Sequence, residues 1–279
     1  MKIVSSTTTV GYLGPKGTYS QLAVLKHFGD DVALKDYSSI DEVFFAVEKK
    51  HIDYGVVPVE NSSEGAINNT QDCLLDSSLR IVGEEIVPVD HNFLINAEAE
   101  ATNIRTIASH KQSLAQCRNW IKKNFPGLSQ IECSSNAEAA TLAQQDSTVA
   151  AIAGDMAARI YSLKIAHTGI QDQSHNRTRF LVLSLAETNS TEQDKTSLII
   201  YADNKPGALF RVLEPFDNLG ISLTKIETRP SKKEAWEYVF FIDFEGHVED
   251  KRVKELFERL DLCTVEVKVL GSYPLAKLA

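Results

Sequence analysis

Two arginines flank one threonine in the run Ser174-His175-Asn176-Arg177-Thr178-Arg179-Phe180, and the residues that follow, Leu181-Val182-Leu183-Ser184-Leu185, turn apolar. Guanidinium groups bind carboxylates through paired N–H donors, and a hydroxyl beside them can offer the same ligand a proton or a hydrogen bond. The apolar run reads as a buried strand, so these polar groups stand where a loop enters a rigid element. A solvated surface turn would have the same residues without a ligand, and spacing alone leaves both readings open.

Other polar groups stand at comparable places. The apolar stretch Tyr54-Gly55-Val56-Val57-Pro58-Val59 runs into Glu60-Asn61-Ser62-Ser63-Glu64-Gly65. Polar residues at the carboxyl end of a strand mark the usual ligand edge of an α/β sheet. Asn61 and Ser62 can donate and accept hydrogen bonds, and Glu60 and Glu64 can accept them or carry a proton. An Asx-type turn is the plainer alternative. Ser109-His110-Lys111-Gln112-Ser113 ends another strand and opens a helix, on which Gln112 and Gln116 share a face. Cys117 adjoins Gln116 with no base in view, so it reads as core, and His110 reads as structural. Gly14-Pro15-Lys16-Gly17-Thr18 links a strand to a helix with Thr18 as N-cap; it lacks the ending of a Walker loop.

The elements that must hold these groups alternate. Strands are predicted over 9–13, 32–37, 54–59, 79–89, 104–109, 131–133 and 149–153. Helices are predicted after residue 18, over 39–50, up to 75, after 113, over 135–145 and from 154 to 161. Ser39-Ile40-Asp41-Glu42 and Ser135-Asn136-Ala137-Glu138 are capping boxes that start two of these helices. Alternation of this kind predicts an α/β region with mostly parallel sheets, in two lobes with a cleft between them. A polar linker over 187–195 precedes a change of rhythm. Strands over 197–202, 221–229, 236–244 and 264–270, with helices ending near 220 and spanning 250–261, give the order βαββαβ of a ferredoxin-like domain.

Composition bounds the function. The 279 residues carry a formal net charge of -9, with 43% hydrophobic residues, and the pI is about 5.3. One to two domains are expected, and nothing in this balance attracts nucleic acid or an anionic membrane. No apolar run reaches the roughly 20 residues of a membrane helix, and residues 1–7 are too short and polar for a secretory signal. Cys73, Cys117, Cys133 and Cys263 are widely spaced, which fits reduced thiols in a cytoplasm. The histidines show no metal-binding spacing, so no metal is expected.

The motifs taken together resemble a known family. Gly14-Pro15-Lys16-Gly17-Thr18, Pro58-Val59-Glu60-Asn61-Ser62, Ser109-His110-Lys111-Gln112, Gln116-Cys117 and Asn176-Arg177-Thr178-Arg179-Phe180 follow one another as in prephenate dehydratases. The C-terminal region resembles an ACT domain, an amino-acid-binding module, through Gly207-Ala208-Leu209 and Ile221-Ser222-Leu223-Thr224-Lys225-Ile226-Glu227-Thr228-Arg229-Pro230. The resemblance runs from about residue 10 to residue 273. Without a chorismate mutase or dehydrogenase region, it is to the monofunctional form. It implies a two-lobed, periplasmic-binding-protein-like catalytic domain over 1–186 and a ferredoxin-like βαββαβ ACT domain over 196–275. Lys111, Ser222 and Thr228 depart from the family's usual proline, asparagine and serine.

The implied reaction converts prephenate to phenylpyruvate, water and carbon dioxide in phenylalanine biosynthesis, without cofactor or metal. By this resemblance Thr178 is the donor to the leaving hydroxyl and Arg179 the carboxylate anchor. Asn61, Ser109 and Gln116 orient the substrate, and Glu60 is an acid or a partner behind the site. Thr18, Ser62 and Phe180 complete the substrate site. Phenylalanine is the expected inhibitor, bound by Gly207, Ala208, Leu209, Ser222, Leu223, Thr224 and Glu227, in a homodimer or homotetramer formed through ACT domains. Two other readings use the same features: an arogenate dehydratase and a non-enzymatic small-molecule sensor.

Overall fold

The computed structural model describes residues 8–173, 175–203, 205–231 and 238–276. Residues 1–7, Ser174, Asn204 and the expected strand start at Trp236 lie outside the described residues. The chain runs β1 (Thr9–Leu13), α1 (Tyr19–Phe28), β2 (Ala33–Tyr37), α2 (Ile40–Glu48), β3 (Tyr54–Asn61), β4 (Gly65–Ala66), α3 (Asn68–Asp76) and β5 (Arg80–Pro88). It continues with β6 (Asn92–Asn96), β7 (Thr106–His110), α4 (Lys111–Gln116), α5 (Arg118–Asn124), β8 (Ser129–Cys133), α6 (Asn136–Gln145), β9 (Val149–Ala153), α7 (Asp155–Ile160), β10 (Leu163–His167) and β11 (Arg177–Ser184). The C-terminal part is β12 (Asp194–Tyr201), α8 (Ala208–Asn218), β13 (Leu223–Pro230), β14 (Tyr238–Glu245), α9 (Lys251–Leu260) and β15 (Glu266–Pro274). Contacts divide these residues into two units, Met1–Thr70 with Glu85–Phe180, and Gln71–Glu84 with Leu181–Ala279.

The first unit holds two sheets. One has the order β2-β1-β3-β11-β5, with β4 beside β3, and its strands β5 and β11 run on into the second unit. β1 lies parallel to both β2 and β3. The other has the order β10-β6-β9-β7-β8. There β7 is parallel to β8 and β9, but β6 is antiparallel to β9 and β10. The expected mostly parallel arrangement is therefore corrected to a mixed one. The two antiparallel strands are the ones without a sequence signal. Each spans five residues, β6 nearly all buried and β10 mostly exposed apart from Leu163, so neither shows a strict alternation of burial.

Local chemistry explains where the helices begin. The Ser39 hydroxyl accepts from Glu42 N at 3.2 Å and the Ser135 hydroxyl from Glu138 N at 3.0 Å. The two glutamates turn back to the hydroxyls and N–H groups of Ser38 and Ser134, and these bonds hold both carboxyls below their ordinary range. The single helix expected after β7 breaks at Cys117 (φ −110°, ψ 11°) into α4 and α5. Helices α6 and α7 approach their sheet closely because the contact is made of small side chains: Ala108, Ala139, Ala140, Ala143, Ala151, Ala153 and Ala157 are all fully buried. On the sheet's other face the larger Phe93, Ile95, Ile107, Leu114, Ile121 and Ile152 pack together.

The second unit contains an antiparallel sheet of order β13-β14-β12-β15, with α8 and α9 packed on it through Val212, Phe216, Val253, Leu256 and Leu260. It also contains residues 71–84, and specific bonds tie these in. Lys268 Nζ donates to the carbonyls of Leu74, Leu75 and Ser77 at 3.0, 2.8 and 2.8 Å, capping the carboxyl end of α3 with a cation. Arg229 Nη2 lies 2.6 Å from Asp72 Oδ1. Lys195 Nζ lies 2.9 and 3.0 Å from the two carboxylate oxygens of Glu84, whose side chain is only 1% exposed. Gly271, at φ +156°, passes so close to Ile81 that a Cβ would overlap the Ile81 carbonyl. Only glycine allows both that backbone angle and that approach.

Candidate active site

The motif residues gather around a cleft of about 800 Å³ in the first unit, to which both sheets contribute. Its first wall comes from the ends of β1 and β3 and the start of α1. Gly17, at φ +87°, makes the turn that leads to Thr18. Thr18 is the N-cap of α1, but its hydroxyl donates to Leu13 O at 3.3 Å instead of accepting from the helix. Asn61, at the end of β3, accepts through Oδ1 from Ser63 N at 2.9 Å and Glu64 N at 3.1 Å. Two backbone donors fix that oxygen, so Nδ2 must point the other way, and it donates to Thr178 Oγ1 at 2.9 Å. The Thr178 oxygen is thus an acceptor here, and its own proton remains available to a ligand.

Thr178 and Arg179 lie within β11, where pairing holds them more rigidly than a loop would. Thr178 is 8% exposed. Arg179 Nη1 stands 3.9 Å from Glu60 Oε2, close enough for attraction but beyond a direct hydrogen bond. Phe180 is buried and forms part of the cleft floor.

The second wall comes from the ends of β7 and β9 and the starts of α4 and α6. Gln116 Oε1 meets His91 Nε2 at 2.8 Å and Asn176 Nδ2 at 2.9 Å. Burial pushes the His91 imidazole below its ordinary pKa of 6.5, so the ring is neutral at pH 7. A neutral ring that gives Gln116 its Nε2 proton leaves Nδ1 as a buried lone pair, and that atom has no partner among the described residues. Gln112 Nε2 reaches Glu64 Oε2 at 3.4 Å, linking the two walls at the cleft.

Four sequence candidates line the cleft: Thr18, Asn61, Gln116 and Phe180. Thr178 joins them through Asn61, and Arg179 and Glu60 stand beside one another. Two serines are turned away. Ser109 is fully buried, with its hydroxyl 2.6 Å from Ile152 O and 3.0 Å from Asn136 Oδ1. Ser62 spends its polar atoms on the chain entering β11, donating to His175 O and accepting from Arg177 N. Lys111, the departure nearest the site, is exposed and is absent from the cleft lining. Sequence reasoning gave no role to His91, Asn136 and Asn176. His91 sits in a short connection, Asn136 looked like part of a helix cap, and Asn176 belonged to a motif whose chemistry was assigned to its neighbours.

Cys117 can be set aside as a nucleophile. It is fully buried, and burial, with Asp172 nearby, pushes its thiol up to about 12. In native protein at pH 8, iodoacetamide should leave Cys117 unmodified, as read by peptide mass mapping, and label it only after unfolding.

The candidate effector residues lie in the second unit. Gly207 is the N-cap of α8 and Ala208 its first residue. Ala208 and Thr228 line a hollow of about 270 Å³ together with Tyr238 and Phe240. Leu209 is 38% exposed. Ser222 O accepts from Glu245 N at 3.0 Å. Thr224 is on the exposed side of β13, whereas Leu223 and Glu227 are on its half-buried side.

An α/β cleft lined largely by amide and hydroxyl groups, in a chain that also carries a ferredoxin-like module, defines an α/β protein with a cleft of small-molecule size. Residues 10–188 match the prephenate dehydratase family and residues 196–262 the ACT domain. The chain belongs to the prephenate dehydratase family. It is 48% identical over 269 residues to the bifunctional chorismate mutase/prephenate dehydratase of Pseudomonas aeruginosa, a match covering 96% of this chain and 74% of that one. It is 36% identical over 270 residues to the prephenate dehydratase of Methanocaldococcus jannaschii, covering 94% and 97%. Among solved structures, the prephenate dehydratase of Arthrobacter aurescens in complex with L-Phe superimposes with a TM-score of 0.89 at 30% identity, covering 96% of this chain and 90% of that one.

Proposed function

We infer that this protein is a prephenate dehydratase, a carbon–oxygen lyase that releases water and carbon dioxide from prephenate to form phenylpyruvate, and that L-phenylalanine bound at the ACT domain inhibits it. The observation that carries the reading is the bond from Asn61 Nδ2 to Thr178 Oγ1, with Asn61 fixed by two backbone donors. In the reaction, the electrons of the ring carbon–carboxylate bond move into the ring. The hydroxyl leaves from the opposite carbon and takes up a proton to become water. Formation of the aromatic ring drives the elimination, so the residues need only hold the substrate and ease the hydroxyl's departure.

Thr178 gives its proton to that hydroxyl as a hydrogen bond that strengthens as charge develops. An alkyl alcohol is too weak an acid for early proton transfer, so positioning dominates. Accepting from Asn61 polarises the threonine hydroxyl and makes it a better donor. Arg179 anchors the carboxylate that the product retains, with Glu60 behind it. Gln116 orients the substrate from the facing wall, and Thr18 and Phe180 shape the cleft. Ser62 supports the site through its bonds to residues 175 and 177.

Inhibition requires that phenylalanine bind the less active state more tightly. The hollow beside Ala208 and Thr228 supports an effector site. The edge strand β13 and the exposed Leu209, Phe210 and Ile226 support pairing of C-terminal modules into a dimer or tetramer. Four cysteines without disulfides support a cytoplasmic setting.

The test is phenylpyruvate formation from prephenate with and without phenylalanine. Turnover that phenylalanine suppresses is the expected result. Turnover without suppression removes the effector assignment. Turnover of arogenate in place of prephenate changes the substrate, and binding of prephenate without turnover makes the protein a sensor.

A further inference from the structure

We propose that Asn136 binds the substrate carboxylate that departs as carbon dioxide, and that Ser109 acts only by holding Asn136. The proposal deepens the dehydratase reading and rests on it. Asn136 is the first residue of α6 and lines the cleft on the wall built by the second sheet. Its Oδ1 receives three contacts: His110 N at 3.2 Å, Ser113 Oγ at 2.9 Å and Ser109 Oγ at 3.0 Å. The backbone N–H of His110 can only donate, so the atom it meets is the amide oxygen, and the NH₂ end faces away. No hydrogen bond among the described residues uses that NH₂. Asn61 is built the same way on the other wall, with its oxygen held by backbone donors and its NH₂ spent on Thr178. Asn136 has the same fixed orientation and no acceptor among the described residues, which leaves its two N–H donors for a ligand oxygen.

The chemistry selects which oxygen. A carboxylate that leaves as carbon dioxide loses its negative charge on the way to the transition state. A cation beside it would stabilise the substrate more than the transition state and would slow the step. A neutral amide can orient that carboxylate at a smaller cost of this kind. Among the described residues, the wall carrying Asn136 adds no lysine or arginine to the cleft lining and is suited to the departing carboxylate, while Arg179, beside Glu60 at the end of β3, takes the retained one. Ser109 then has a clear task. Buried, and with one proton between Ile152 O and Asn136 Oδ1, it packs behind the amide and is a positioning residue.

The test is steady-state kinetics with prephenate for wild type, Asn136→Ala, Asn136→Asp, Ser109→Ala and the Asn136→Ala/Ser109→Ala double variant, with a melting curve for each. Asn136→Asp keeps an oxygen for the three donors and should fold. It should raise KM more than Asn136→Ala does, because it sets a carboxylate against a carboxylate. Asn136→Ala should raise KM roughly tenfold, the worth of one hydrogen bond to a charged group, with kcat unchanged or higher. Ser109→Ala should raise KM in the wild-type background and add nothing once Asn136 is alanine. KM within twofold of wild type in both Asn136 variants would overturn the proposal. So would an undiminished Ser109→Ala effect in the Asn136→Ala background, which would mean that Ser109 meets the substrate itself. Failure of Asn136→Asp to fold would also count against it, since the replaced NH₂ would then have a structural partner. An inactive wild type would instead defeat the dehydratase reading.

Discussion

Thr178→Val should lower kcat for prephenate by roughly a hundred- to ten-thousand-fold while changing KM far less. Valine fills the same space, so the loss would isolate the hydroxyl. KM should hold because Arg179 and Gln116 remain, and a contact that matters only as the leaving group departs is absent from ground-state binding. Thr178→Ser should retain most of the activity, because it keeps the oxygen that accepts from Asn61 and the proton that faces the ligand. The valine variant also leaves Asn61 Nδ2 without its acceptor, at a cost of about 1–3 kcal/mol if that donor stays dry. A melting curve separates this effect from the catalytic one. Near-normal kcat in a folded Thr178→Val would remove Thr178 from the mechanism.

Lys195→Met should lower the melting temperature by roughly 10 °C, the largest stability change anticipated for a single side chain here. Lys195 and Glu84 are 10% and 1% exposed at their side chains, and two short bonds join them. Removing one partner strands the other in a poorly solvated place, which typically costs ~3–5 kcal/mol. For a chain of this size each kcal/mol is worth about 2–4 °C. Glu84 also accepts from Ala276 N at 3.1 Å, which offsets only part of the loss. The double variant Glu84→Met/Lys195→Met should recover most of the melting temperature, because removing both charges also removes the desolvation penalty. Equal losses in the single and double variants would show that packing, not the pair of charges, sets the stability at this place.

The elements with strong local signals were legible before any coordinates. β1, β9 and β11 are short apolar runs bounded by turn residues, and α2 and α6 announce themselves through Ser39 and Ser135. The βαββαβ order of the C-terminal module followed from its spacing as well. What could not be read was set by tertiary packing. β6 is set by its pairing with β9 and β10, and β10 by its pairing with β6, so no local pattern marks them. The break at Cys117 interrupts a stretch that keeps helical periodicity on both sides. At the site, residue type said which side chains could bind a ligand but not which way they face. Ser62 and Ser109 looked as suitable as Asn61, yet both spend their hydroxyls on the protein. His91 and Asn136 gave no signal because one buried lone pair or one unspent NH₂ exists only once distant segments meet. Grouping residues 71–84 with the C-terminal module was equally invisible, since it depends on Lys195, Arg229, Gly271 and Lys268.

That grouping has a consequence for recombination between relatives. The polar stretch over 187–195 looks like the natural crossover point for grafting one relative's regulatory module onto another's catalytic part. A hybrid joined there would inherit Glu84, Asp72 and the carboxyl end of α3 from one parent, and Lys195, Arg229 and Lys268 from the other. The parts that must match are therefore discontinuous along the gene. A transplant that respects the molecule carries residues 71–84 with the module, so this protein is better exchanged as two segments than as one.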